Sequence, residues 1–209
     1  MTSLVDDDYK KQTNEGALEA RIAQKFFREG VECCMEKDLT KFKNIVDSYS
    51  ESHNNVTFLD LFEGFQTEGK TLLHIAASQG STDILTYILN SCGDVSTIVN
   101  RCDERGFSPV LYATISEDIE ALKYLISKGG NVNLKDCDNA TCIHFAAGDG
   151  SVERMKILVE AGADVETASH AGTPLHWAAG KGNVEAVKYL ISLNVDVNHT
   201  NDTHLPAVF

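Results

Sequence analysis

Apolar residues recur at helical spacing in several stretches of the chain. The clearest stretch predicts one helix with a buried face, through the positions Val184, Val187, Leu190 and Ile191. A shorter helix is predicted just before it, because Thr173 is a typical N-cap residue and Pro174 suits the first helical position. Between the two, Gly182 suits the left-handed conformation that ends a helix. The pattern predicts a helix–turn–helix unit.

The same pattern occurs four times along the chain. The copies open at Thr71, Ser108, Thr141 and Thr173, which are 37, 33 and 32 residues apart. Nine residues after each opening come Gly80, Glu117, Gly150 and Gly182. A unit of two short helices cannot bury both of its faces alone, so the repeats are predicted to stack on one another.

These segments resemble the ankyrin repeat. Thr173-Pro-Leu-His-Trp-Ala-Ala179 matches its Thr-Pro-Leu-His-x-Ala-Ala signature, and Gly162-Ala-Asp-Val-Glu166 is similar to its Gly-Ala-Asp-Val-Asn turn. The resemblance covers residues 68–209 and implies an all-α solenoid of stacked helix–turn–helix units with projecting β-hairpin-like fingers. It also implies that histidines at the signature position tie adjacent units through hydrogen bonds, namely His74, His144 and His176.

The repeat register divides the chain into predicted segments. A flexible acidic tail is predicted over residues 1–16, and a divergent N-terminal capping unit with a long connector over 17–67. The repeat region, 68–204, holds four repeats at about 68–102, 103–135, 136–167 and 168–200. Residues 205–209 align with the start of a further repeat, which predicts a fragment of a longer protein; the alternative is that these five residues dock back as a cap.

Three places depart from a regular repeat. Within the opening unit, Cys33 and Cys34 occupy the small Ala-Ala positions. The connector over residues 47–67 carries six large apolar residues, so part of it is expected to pack on the stack. The connection from Asp94 to Ser108 is four residues longer than its counterpart after Asn131, which predicts an enlarged finger.

Composition excludes several classes of protein. The 209 residues include 31 acidic and 18 basic side chains, a formal net charge of −13 that disfavours nonspecific binding to nucleic acid or anionic membrane. There is no run of eighteen apolar residues to insert into a membrane. Without a recognisable signal sequence the six cysteines are predicted to be free thiols, and the cytoplasm or nucleus is the expected location of a monomeric module.

Two motifs resemble ligand-binding sites, although the repeat register already accounts for some of their residues. Gly64–Thr71 fits the phosphate-loop pattern G-x-x-x-x-G-K-[ST], in which Lys70 would reach the phosphates. Because the register already requires Gly69 and Thr71, nucleotide binding is kept as a minor alternative. The group Cys137, Cys142, His144 and His176 lacks complete metal-ligand spacing, so no metal or other cofactor is predicted.

The resemblance implies a partner-binding surface on the finger tips and on the exposed side of each first helix. Carried over by position, the candidate contact residues are Ser78, Gln79, Glu104, Arg105, Phe107, Ile115, Ser116, Asp138, Asp149, His170 and Lys181. Phe107 and Ile115 are apolar where solvent is expected, which favours an interaction site; the alternative is a local rearrangement that buries them.

The resemblance also implies that the turn asparagines Asn133 and Asn198 can be hydroxylated, with unmodified turns as the alternative.

The sequence predicts a non-enzymatic module that binds another protein or peptide as a scaffold or adaptor. The alternative is a targeting or regulatory arm of a larger multidomain enzyme or signalling protein.

Overall fold

The computed structural model describes residues 21–52, 68–92 and 95–200, which form eleven helices. In chain order the helices are α1 (21–36), α2 (Leu39–Ser52), α3 (Leu72–Gln79), α4 (Thr82–Ser91), α5 (Val95–Val99), α6 (Pro109–Ile115), α7 (Ile119–Ser127), α8 (Cys142–Gly148), α9 (Val152–Glu160), α10 (Pro174–Gly180) and α11 (Val184–Ser192). Ser169 and Gly172 form an isolated antiparallel bridge. The predicted all-α architecture is confirmed, and no described helix is long and apolar enough to cross a bilayer.

Three of the four repeats begin their short helix in the same way. The backbone N–H of Thr71 donates to Nδ1 of His74 at 3.1 Å, three residues into α3. The pairs Thr141–His144 and Thr173–His176 repeat this bond at 3.1 and 3.2 Å. The imidazole therefore satisfies a backbone donor that would otherwise be left unpaired at the start of the helix.

The turn after the short helix depends on glycine in three of the four repeats. Gly80, Gly150 and Gly182 adopt φ values of 62°, 75° and 72°, a region that costs glycine nothing. In the second repeat Glu117 stands at this position. There, α6 ends at Ile115 and Ser116 turns to an extended conformation with ψ 162°. The irregular sequence thus changes the turn and preserves the stack.

The short helices pack closely on one another in the order α3, α6, α8 and α10, while the longer helices α4, α7, α9 and α11 lie behind them with fewer mutual contacts. The short helices therefore form one side of the stack. We call this side, together with the finger tips that precede each short helix, the inner face. Behind it the core is filled by fully buried aliphatic side chains, among them Ile84, Leu85, Ile88, Leu122, Leu125 and Ile143.

The enlarged finger predicted between Asp94 and Ser108 is not observed. The additional residues form the short helix α5, in which Ile98 and Val99 are 4% and 0% exposed. Burying these two apolar side chains against the stack is favourable, whereas a projecting loop would expose them to water.

Helix α2 extends into the segment that the sequence assigned to the connector. The connector was expected to begin at residue 47 and to pack in part as a strand or helix on the stack, and α2 continues through its first residues to Ser52. This part of α2 packs against α1, where the ring of Tyr49 lies 4.9 Å from that of Phe26. The expectations for the tail over 1–16, for the remaining connector and for residues 205–209 concern segments outside the described residues.

A ladder of side chains joins successive turns along the stack. Asn133 donates through Nδ2 to the carbonyl of Gly162 at 2.9 Å and accepts from the N–H of Asp164 at 2.9 Å. One repeat earlier, Asn100 bonds Gly129 and Asn131 in the same way. Both asparagines therefore fix the spacing between neighbouring units.

Candidate functional site

The finger of residues 103–107 is organised around one buried carboxylate. Oδ1 of Asp103 accepts hydrogen bonds from the N–H groups of Arg105 and Phe107, both at 2.9 Å. Its Oδ2 accepts from the hydroxyl of Tyr112 at 2.8 Å. Asp103 is only 7% exposed, so these three donors replace the water that the carboxylate loses on burial. The finger is consequently a fixed turn.

Backbone hydrogen bonds connect each finger to the next. The N–H of Glu104 donates to the carbonyl of Glu68 at 3.2 Å, and the N–H of Cys137 donates to that of Arg105 at 3.0 Å. His170 continues the series by donating to the carbonyl of Asp138 at 3.0 Å. Four consecutive fingers therefore form one connected row.

An aromatic ladder underlies this row. The ring of Phe107 lies 5.6 Å from that of Tyr112 and 5.5 Å from that of Phe145, and Phe145 lies 5.3 Å from Trp177. All three pairs are edge-to-face, an arrangement that adds to the stabilisation from burial. Trp177 is half-buried, and its Nε1 donates to Oγ of Ser169 at 3.0 Å.

The sequence left two interpretations of Phe107 open, an exposed contact residue or a buried one. In the structure Phe107 is buried, so it is not an exposed contact residue. Its side chain is 6% exposed, because the ring fills the space between two neighbouring repeats. Ser116 is also buried, at 6%, where its hydroxyl donates to the carbonyl of Ala113 at 3.2 Å in the altered turn. Ile115 remains exposed at 38%.

The other candidate contact residues lie at or near the surface. Ser78 is half-buried and donates to the carbonyl of Ile75 at 2.9 Å. The exposed members, besides Ile115, are Gln79, Glu104, Arg105, Asp138, Asp149, His170 and Lys181. The structure brings the finger residues together in the row described above.

Several charges on this face have a partner of opposite sign. Nζ of Lys70 lies 3.4 Å from Glu68, and Arg154 lies 3.6 Å from Asp149. Nδ1 of His170 lies 3.7 Å from Asp138, a contact that is ionic when the imidazole is protonated. Lys181 and Arg105 have no carboxylate within 4 Å among the described residues.

Two of the signature histidines are buried and neutral. Burial lowers the pKa of His74 to about 4, and does the same to that of His144. Since Nδ1 of His74 accepts from Thr71, its Nε2 carries the proton and donates to the carbonyl of Arg101 at 3.0 Å. Arg101 lies at the end of the same repeat, 68–102, so this bond stays within one unit.

The residues of the phosphate-loop pattern that are described have structural contacts. The hydroxyl of Thr71 lies 2.9 Å from Nδ1 of His74, and Lys70 is paired with Glu68. The first four residues of the pattern lie outside the described part of the chain. In that part, no group of three or more His, Cys, Asp or Glu side chains is arranged to hold a metal.

Sequence reasoning missed the roles of Asn100 and Asp103. Asn100 and Asn133 are 33 residues apart, so the repeat register could have identified the ladder. Asp103 likewise recurs as Asp136, whose Oδ1 accepts from the N–H groups of Asp138 and Ala140 at 2.9 and 2.8 Å.

Comparison with known proteins supports the repeat assignment. A family model described as ankyrin repeats (3 copies) matches residues 32–136 and 116–201. The nuclear factor NF-kappa-B p105 subunit of Gallus gallus is 28% identical over 137 residues, 65% of this chain and 13% of that protein. The tyrosine-protein kinase HTK16 of Hydra vulgaris is 32% identical over 142 residues, 66% of this chain and 17% of the kinase.

A second kinase, Shark of Drosophila melanogaster, is 34% identical over 103 residues, 49% of this chain and 10% of the kinase. The chain thus spans at most about a fifth of the length of these curated relatives, and ankyrin repeats generally bind other proteins and are not catalytic. Since the family model covers well over half of the residues, the chain belongs to the ankyrin-repeat family.

Proposed function

We propose that the chain is a scaffold or adaptor module that binds another protein through its inner face. The observation that carries this proposal is the connected row of fingers, fixed from behind by the aromatic ladder and by Asp103. A surface that is rigid before binding loses little conformational entropy when a partner docks. Its exposed polar and charged groups, together with Ile115, are available for contact.

A second candidate function is that of a targeting or regulatory arm within a larger enzyme or signalling protein. Two kinases, Shark and HTK16, and an E3 ubiquitin-protein ligase, KEG of Arabidopsis thaliana, contain a segment similar to this chain. In each of them the matched segment is a minor part of the whole protein. Reading the gene beyond the codon for residue 209 distinguishes the two functions, because a kinase or ligase domain would favour the second.

The first function predicts that a charge reversal on the inner face weakens binding. Lys181 is exposed just after α10 and has no carboxylate partner among the described residues, so Lys181→Glu is expected to weaken capture of the partner from a native cell extract by roughly tenfold. The measurement is a titration of the captured partner, identified by mass spectrometry, against the purified variants.

The matched control is Lys156→Glu, which makes the same change of charge on the exposed side of α9. It is expected to leave affinity within about twofold of the wild-type value, as surface changes outside an interface do. Loss of binding in Lys156→Glu with full binding in Lys181→Glu would place the partner on the opposite side of the stack and contradict the proposal.

A further inference from the structure

We infer that Arg105 is a receptor for an Asp or Glu side chain of the partner, so that the segment bound at this finger is acidic. This inference rests on the proposed function, since it names the partner chemistry for the same face. It is carried by three observations: the fixed backbone of Arg105, the stacking of its side chain, and the absence of a carboxylate partner within the described residues.

The backbone of Arg105 is held on both sides. Its N–H donates to Oδ1 of Asp103 at 2.9 Å, and its carbonyl accepts from the N–H of Cys137 at 3.0 Å. The following residue, Gly106, has φ 80°, and a Cβ there would lie 2.7 Å from Cα of Asp136. The finger therefore fits closely against its neighbour, which fixes the point from which the arginine side chain extends.

The side chain is also positioned before any partner arrives. Cζ of Arg105 lies 4.3 Å from the centroid of the Phe107 ring, a cation–π stacking distance. That ring is itself fixed, because it is buried between Tyr112 and Phe145. A guanidinium stacked on a fixed ring keeps its N–H groups available along its edge and has less side-chain entropy to lose on binding.

No carboxylate within the described residues satisfies this guanidinium. Asp138 occupies the equivalent position in the next finger, and its Oδ1 lies 3.7 Å from Nδ1 of His170. At physiological ionic strength the Debye length is about 8 Å, so acidic residues farther than that from this finger are largely screened. The geometry favours a carboxylate, because two parallel N–H···O bonds can form along the guanidinium edge.

The test selects random twelve-residue peptides displayed on phage against the immobilised chain, in parallel with Arg105→Glu and the control Lys156→Glu. The wild-type chain is expected to enrich peptides with Asp or Glu at one fixed position. Arg105→Glu is expected to enrich Lys or Arg there, while Lys156→Glu enriches the wild-type set. Synthetic versions of the strongest peptide then carry Asp, Asn or phosphoserine at that position.

Asp→Asn in the peptide is expected to weaken binding to the wild-type chain by about tenfold and to leave binding to Arg105→Gln nearly unchanged. The inference is overturned if wild type and Arg105→Glu enrich the same peptides, or if the phosphoserine peptide binds far more tightly than the Asp peptide. Failure of the wild-type chain to enrich any peptide would instead count against the proposed function as a whole.

Discussion

Replacing Phe107 with alanine is expected to lower the free energy of unfolding by about 4 kcal/mol, the typical cost of truncating a buried aromatic side chain. The ring is 6% exposed and contacts the rings of Tyr112 and Phe145, which belong to different repeats. Its removal leaves a cavity between two units and takes away the surface on which Arg105 stacks. Urea unfolding at pH 7.5, followed by helical circular dichroism, measures the change.

Two control variants make this result specific. Phe107→Leu keeps most of the volume and is expected to cost about half as much. Ile115→Ala changes the neighbouring apolar candidate, which is 38% exposed, and is expected to cost about 0.5 kcal/mol. A cost for Phe107→Ala no larger than that of Ile115→Ala would mean that Phe107 is exposed in solution.

Acidification from pH 7.5 to 5.5 is expected to lower the free energy of unfolding by about 3 kcal/mol through His74 and His144 together. Burial lowers the pKa of each imidazole from 6.5 to about 4 in the folded chain. The unfolded chain therefore binds protons below pH 6.5 that the folded chain excludes until about pH 4. The free energy of unfolding therefore decreases as the pH is lowered through that window, and each histidine accounts for a loss of about 1.4 kcal/mol at pH 5.5.

His74→Gln tests the origin of this pH dependence. The variant is expected to lose some stability at pH 7.5, because the bond to the carbonyl of Arg101 is disturbed, but its further loss at pH 5.5 should be about half that of the wild type. The control is His176→Gln, at the equivalent but half-buried position in α10. If His74→Gln kept the full wild-type pH dependence, the buried neutral imidazole would not be its cause.

The repeat register predicted the parts of the fold that depend on regular spacing. The glycines after the short helices and the histidines at their starts lie where the register placed them, because each is required by local backbone geometry. Ankyrin-repeat membership and an all-α stack follow from those positions, and both are confirmed. The segment boundaries, the cellular location and the contact residues that remain accessible stay predictions.

The repeat register gave wrong predictions where packing between neighbouring segments determines the structure. Phe107 stands at a finger position that is polar or small in the other repeats, and the neighbouring rings of Tyr112 and Phe145 explain its burial. The extra residues after Asp94 were expected to project, but Ile98 and Val99 gain more by packing as α5. Arg105 was identified as a candidate contact by position alone, whereas its stacked geometry could be known only once the burial of Phe107 was established.

Hydrogen–deuterium exchange of the chain, alone and bound to the captured partner, tests binding through the inner face most directly. We expect slower exchange in the bound chain over the finger segments 103–107, 136–140 and 169–172, since these carry the exposed groups of the row. Exchange in α4, α7, α9 and α11 should be unchanged. Protection confined to those four longer helices, with the fingers unaffected, would contradict the account.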